Sequence, residues 1–192
     1  MRRVTLYLVA AGAVALGGSI LAPSVACAQP GGETFTATAS VKSPDASATS
    51  KTTIGIERFS TEAERSAVMK ALKDGGTAAV RPVLSGMKDS GYIELGQRRT
   101  PIKYAFARPT GSGRLITVVT ADPILFLGAG VPESKPRAGY DLGVAILTVD
   151  ASGKGEGELA PAAKVKMNEA GAIVIDDYGA EKVWLKDVAP SK

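Results

Sequence analysis

The chain contains no histidine, and its single cysteine, Cys27, lies close to the amino terminus. The absence of histidine excludes Ser-His-acid triads, histidine acid–base catalysis and every metal site that requires imidazole. Loss of Cys27 with a leader peptide would also exclude thiol nucleophiles, thiolate metal ligands and disulfides. Carboxylate pairs, Ser/Lys pairs and calcium sites with oxygen ligands remain. The composition therefore favours a non-catalytic protein without a cofactor or bound metal, and leaves a hydrolase open.

The first 28 residues have the three parts of a secretory signal peptide. Arg2 and Arg3 precede an uncharged run rich in alanine and glycine, residues 4–22. Ala26 and Ala28 then supply the small side chains that signal peptidases require at the −3 and −1 positions. We expect cleavage at Ala28/Gln29. The mature protein would then be periplasmic or secreted, and would meet a membrane only transiently during export.

Two alternatives to this cleavage stay open. In the first, Cys27 is acylated and anchors a lipoprotein to the membrane, although Ser24 stands where such signals normally carry leucine. In the second, the apolar run remains as an anchor, since its length is near the lower limit for a span, about 17–20 residues. Its alanine and glycine are less apolar than the leucine and isoleucine of typical anchors, which favours cleavage.

Residues 29–192 are long enough to form a single mixed α+β, strand-rich domain whose core is held by burial alone. The net charge of +4 includes Arg2 and Arg3, so the mature domain is close to neutral. Proteins that bind nucleic acid normally present a concentrated basic face. The charge therefore favours a partner other than nucleic acid.

The hydrophobic pattern predicts an α+β fold that is predominantly antiparallel β-sheet. Residues 34–42 alternate between apolar and polar side chains, which is typical of a half-buried strand, and residues 52–59 predict its hairpin partner. The second half of the chain predicts about seven more strands. In one of these, residues 102–108, the alternation places Ile102 and Tyr104 on the same face. A half-barrel is one arrangement open to such a sheet.

A segment whose apolar residues have helical spacing follows the second predicted strand. Thr61 and Glu64 have the spacing of a capping box, in which each side chain satisfies a free amide at the start of a helix. Val68 and Leu72 lie on the apolar stripe that we expect to pack on the sheet. Gly75-Gly76 has the residue type that commonly ends a helix.

A second short helix is predicted after these glycines. Val80, Val83, Leu84 and Met87 have the spacing of one helical face, and Pro82 is tolerated in a first turn. The sequence therefore predicts a two-helix hairpin inserted after strand 2.

Catalytic motifs are weak in this chain. Asp176-Asp177 is the one adjacent pair of acids, and successive side chains of a strand point to opposite faces, so the two carboxylates would not reach one substrate. Residues 152–157 contain glycines and a lysine, but they lack the Gly-Lys-Ser/Thr ending of a phosphate-binding loop. We assign no catalytic residue and no metal ligand.

Residues 122–140 form the longest interruption of the strand pattern, and we expect them to carry the functional surface. An apolar stretch that includes Leu125 and Phe126 is followed by a polar, proline-rich stretch that ends at Arg137. Long connections in small domains are often functional. We take Leu125, Phe126 and Arg137 as the candidate binding residues. The alternative is that Ile124, Leu125 and Phe126 plug one end of the core.

These observations predict an extracytoplasmic, non-catalytic binding module for an apolar small ligand or a protein partner, such as another envelope protein. The alternatives are a secreted hydrolase that uses carboxylates or a Ser/Lys pair, and a structural component of the envelope. A cavity beside the helices would favour the first function, and converging carboxylates would favour the second. A large exposed apolar patch would favour the third.

Overall fold

The structure is a computed structural model that describes residues 31–42, 47–124, 137–169 and 171–191. These residues form ten strands and one helix, in the order β1 (Glu33–Lys42), β2 (Ser47–Ile56), α1 (Glu62–Ser85), β3 (Gly91–Leu95), β4 (Arg98–Ile102), β5 (Tyr104–Thr110), β6 (Gly113–Thr120), β7 (Leu142–Asp150), β8 (Gly155–Met167), β9 (Ile173–Tyr178) and β10 (Val183–Pro190).

The strands make one antiparallel, nearly closed, barrel-like sheet, which confirms the predicted sheet class. Hydrogen-bonded neighbours follow the order β4-β3-β2-β1-β10-β8-β7-β6-β5, and β9 pairs with β8 beyond the end of β10. The two ends of this order, β4 and β5, are consecutive in the chain and are separated by Lys103 alone. The segment made of β4, Lys103 and β5 is therefore bent: its first part pairs with β3 and its second part with β6, which nearly closes the sheet.

Two apolar clusters lie on opposite faces of the sheet. The first is enclosed by the curved sheet and includes Phe35, Ile54 and Leu147, each at most 1% exposed. Alternation in β1 supplies four of its members, Phe35, Ala37, Ala39 and Val41, as the sequence predicted. Burial of these side chains is the main force that stabilises the sheet.

The second cluster lies between α1 and the outer face of the sheet. Val68 and Leu72 of α1 pack there with Val144 of β7 and Val165 of β8, which confirms the predicted contact face of the helix. The Thr61 hydroxyl accepts a hydrogen bond from the Glu64 amide, and the Glu64 carboxylate accepts one from the Thr61 amide. The predicted capping box is therefore present at the start of α1.

The predicted two-helix hairpin is wrong, because the described residues contain a single helix. Helical residues continue on both sides of Gly76, which has φ 64° and ψ −156° and breaks the helix locally. A reversal of the chain would need a loop of about two to five residues, and none is left for it. Gly75-Gly76 therefore produces a break within α1. Along its described length, α1 lacks the sustained apolar stretch that a membrane-spanning helix needs.

Candidate functional site

The predicted binding residues are only partly described. Leu125 and Phe126 lie outside the described residues, so their predicted role stays a prediction. Arg137 is exposed, at the start of the short segment that leads into β7. Ile124 is 2% exposed and belongs to the cluster enclosed by the sheet. For Ile124, the structure therefore agrees with the alternative in which this residue fills the core.

A groove of about 590 Å³ lies where α1 is broken and the hairpin of β8 and β9 passes beneath it. We call it the helix-break groove. It is lined by Leu72, Lys73, Gly76, Thr77 and Ala78 of α1, by Gly139, by residues 164–167 of β8 and by Asp176 of β9. Gly139 belongs to the segment 122–140 that the sequence singled out, so part of that segment borders this groove.

The break in α1 is held against β8 by Thr77. Its hydroxyl accepts a hydrogen bond from the Val165 amide at 2.8 Å and donates one to the Val165 carbonyl at 3.1 Å. β7 pairs with β8 no further than Ala163. Thr77 therefore takes the place of a neighbouring strand at Val165, next to Gly76, which also lines the groove.

Lys164 is positioned at the groove by an aromatic neighbour. Its ammonium lies 4.6 Å from the centroid of the Tyr140 ring, and Tyr140 packs closely against Gly179. The Tyr140 hydroxyl donates a hydrogen bond of 2.5 Å to Asp177. That hydrogen bond, helped by the positive charges of Lys164 and Arg137, holds the pKa of the Asp177 carboxyl below its usual value.

The charge of the groove is predominantly positive. Lys73, Lys164 and Lys166 line it together with one acid, Asp176. Asp176 forms an ion pair of 2.8 Å with Lys166. Among the ion pairs of the described residues, this is the one that involves a lysine of the groove. Lys73 therefore keeps its charge available to a ligand, whereas Lys164 lies opposite Asp177 in the pairing of β8 with β9 and shares its charge with that carboxylate.

The adjacent acids of β9 have different partners. Asp176 pairs with Lys166, whereas Asp177 accepts a hydrogen bond from Tyr140. Across the part of the chain that the structure describes, no three potential ligand side chains group closely enough to hold a metal ion. Neither arrangement offers the converging carboxylates that hydrolysis of a glycoside would use.

A second groove, of about 410 Å³, lies on the outer face of the sheet next to Trp184, and we call it the tryptophan groove. Trp184 is 52% exposed and is the only tryptophan of the chain. The Lys182 ammonium lies 4.0 Å from its ring centroid and pairs with Glu158. One face of the indole is therefore occupied by the protein's own lysine.

The buried Tyr104 of β5 lies beside the half-buried Arg65 of α1. Tyr104 is 1% exposed, and burial raises the pKa of its phenol to about 12. The Arg65 guanidinium lies 5.0 Å from the centroid of the Phe106 ring and donates a hydrogen bond to the Gly171 carbonyl. The Tyr104 phenol therefore stays protonated at neutral pH, and its ring is part of the apolar cluster between α1 and the sheet.

The helix-break groove was missed at the sequence level because its residues come from distant parts of the chain. One available signal was a Gly-Gly pair inside an otherwise continuous helical pattern, which allows a break as well as an end.

No family model matches this chain, and neither a curated protein nor a solved structure shows significant similarity to it.

Proposed function

We propose that this protein is an extracytoplasmic, non-catalytic binding module that holds a small apolar ligand in the helix-break groove. The observation that carries the proposal is the concavity of about 590 Å³ at the break in α1. Sites for small ligands typically have volumes of about 300–1,000 Å³. The signal-like leader of residues 1–28 supports the extracytoplasmic location.

The floor of the groove supports an apolar occupant. Leu72 and Val165 contribute apolar surface while they remain part of the cluster beneath α1. Met167 is 40% exposed and Ala78 is also exposed, so both leave apolar atoms open to a ligand. Methionine adapts its shape easily, which suits a surface that receives ligands of varied outline.

Hydrogen bonds also join the two walls of the groove. Thr77 ties the helix side of the groove to the backbone of Val165 on the sheet side. A preformed site avoids the entropy cost of ordering its walls when the ligand arrives. This supports a binding module rather than a hinge that closes on its target.

A fluorescent probe tests the proposal directly. N-phenyl-1-naphthylamine is neutral and apolar, and we expect saturable fluorescence enhancement with the mature protein and displacement by decanol. Ala78→Trp would fill the groove from an exposed position of α1 and should weaken probe binding by at least about tenfold. Ala67→Trp is the matched control, because Ala67 is exposed on the same helix and does not line the groove.

Two outcomes would contradict the proposal. In the first, the wild-type protein shows no saturable binding of the probe. In the second, Ala78→Trp and Ala67→Trp bind the probe equally well although both unfold at the wild-type temperature.

A further inference from the structure

We infer that the ligand of the helix-break groove carries an anionic head group, which is held by Lys73 and Lys164 while its apolar part lies along Met167 and Ala78. The inference rests on the proposed binding function and adds the chemical class of the ligand, an anionic amphiphile such as a carboxylate or phosphate monoester with an alkyl chain.

The first support is the imbalance of charge. Three lysines and one aspartate line the groove, and the aspartate is already paired with Lys166. Lys73 and Lys164 thus border one apolar surface with a positive charge that Asp177, opposite Lys164, offsets only in part. An anion bound there would form charge-assisted hydrogen bonds with the two ammonium groups, and such bonds are stronger than neutral ones.

The second support is the way in which Lys164 is held. The ring of Tyr140 lies under its ammonium at 4.6 Å, and Tyr140 is fixed by its hydrogen bond to Asp177. A lysine ordered by an aromatic ring loses less side-chain entropy when it binds an anion. Lys164 therefore offers a preorganised positive charge, whereas Lys73 offers an exposed one.

The third support is the placement of apolar surface next to these charges. Met167 follows Lys166 at the end of β8, and Ala78 lies on α1 just after the break at Gly76, whereas Lys73 lies just before it. A ligand that satisfies both features must be apolar over most of its length and charged at one end. A free inorganic anion would leave the apolar surface uncovered, and a neutral hydrocarbon would leave the lysines unpaired.

The test compares ligands that share one alkyl chain. Decanol, decanoate and decyl phosphate are titrated against the bound naphthylamine probe, below their micelle concentrations. We expect decanoate and decyl phosphate to displace the probe at concentrations about tenfold lower than decanol. Inorganic phosphate, measured alone by calorimetry, should bind far more weakly than decyl phosphate.

Variants assign the effect to the two lysines. Lys73→Gln with Lys164→Gln should remove the advantage of decanoate over decanol and leave the binding of decanol unchanged. Lys42→Gln with Lys51→Gln is the matched control, because it removes the same charge from exposed positions of β1 and β2. Asp176→Asn should act in the opposite direction, since it releases Lys166 and should strengthen the binding of decanoate.

The single variant Lys73→Gln keeps the test valid if the double variant fails to fold. Lys73 is exposed, so its replacement should not disturb the fold, and it should still reduce the advantage of decanoate over decanol. Equal binding of decanol and decanoate would overturn the inference and leave the proposed function standing. Failure of decanol and of the probe to bind would overturn both. Inorganic phosphate binding as tightly as decyl phosphate would also overturn it.

Discussion

Thr77 and Val165 are joined by two hydrogen bonds through one hydroxyl group, which accepts from the amide at 2.8 Å and donates to the carbonyl at 3.1 Å. A side chain of α1 thereby completes the backbone pairing of β8 at a point where β7 no longer reaches it. This contact fixes the depth of the helix-break groove, because it sets the distance between its helix wall and its sheet wall.

Thr77→Val should lower the free energy of unfolding by about 1–3 kcal/mol, since it keeps the shape of the side chain and leaves two backbone groups of Val165 without a partner. Denaturant unfolding of the mature protein measures the change. Thr49→Val at an exposed position of β2 is the control. A change of the same small size in both variants would contradict the structural role of the Thr77 hydroxyl.

Gly76→Ala should also destabilise the protein, by about 1–3 kcal/mol, because the backbone of Gly76 lies in a region that side chains with a Cβ avoid. The space around Gly76 is open, so the cost comes from its dihedral angles and not from a clash. Gly111→Ala is the control, since it too is surrounded by open space but lacks a positive φ. Thermal unfolding of both variants would show whether only Gly76→Ala is impaired.

Leu72→Ala should cost about 2–5 kcal/mol, the range for removal of a buried leucine side chain. Leu72 is 6% exposed and packs between α1 and the sheet. The measurement is again the free energy of unfolding in denaturant. A change within about half a kcal/mol would mean that the helix contributes little to the core.

The acid stability of the protein should depend on Glu64. Two hydrogen bonds from the Arg58 guanidinium, at 2.8 and 2.9 Å, lower the pKa of this carboxyl from 4.5 to about 2. Because the folded-state pKa is lowered, the contribution is fully present above pH 4.5 and is lost as the pH falls towards 2. Solvent screening limits it to about 1 kcal/mol.

Glu64→Gln should therefore reduce stability at neutral pH and flatten the fall in stability between pH 4.5 and 2, as measured by denaturant unfolding across that range. Glu169→Gln at an exposed position is the control and should leave the acid profile unchanged. A wild-type acid profile in Glu64→Gln would show that the ion pair with Arg58 contributes nothing to stability.

The exported protein should begin at Gln29, because Ala26 and Ala28 satisfy signal peptidase. Intact mass and N-terminal sequencing of the exported form check this. Loss of Cys27 removes the only thiol of the chain, so a reductant should leave the melting temperature unchanged. Recovery of a lipid-modified Cys27 would contradict the cleavage and place the protein at a membrane surface.

Local patterns of the sequence predicted much of this fold. The alternation in β1 predicted the buried face that contains Phe35 and Val41, and the spacing of Thr61 and Glu64 predicted the capped start of α1. Each of these signals depends on neighbours within a few residues. The same is true of the apolar stripe that includes Leu72.

Features that depend on distant partners were not predictable in this way. Alternation placed Ile102 and Tyr104 on one face, but the bend at Lys103 puts them in different clusters. The reason is that β4, before the bend, pairs with β3, whereas β5, after the bend, pairs with β6. The glycines at 75 and 76 allow both an end and a break of a helix, and only the contact of Thr77 with β8 distinguishes the two. Lys73 and Lys164 are likewise brought together only by the tertiary fold.

The pairing of the first strand with the last also affects how the protein is made. β1 lies between β2 and β10, with Phe35 opposite Pro190 and Val41 opposite Val183. Until the ribosome has delivered β10, both β1 and β8 have an open edge, and such edges recruit other strands. Completion of the sheet must therefore wait for β10, and before then a chaperone would find two strand edges to protect.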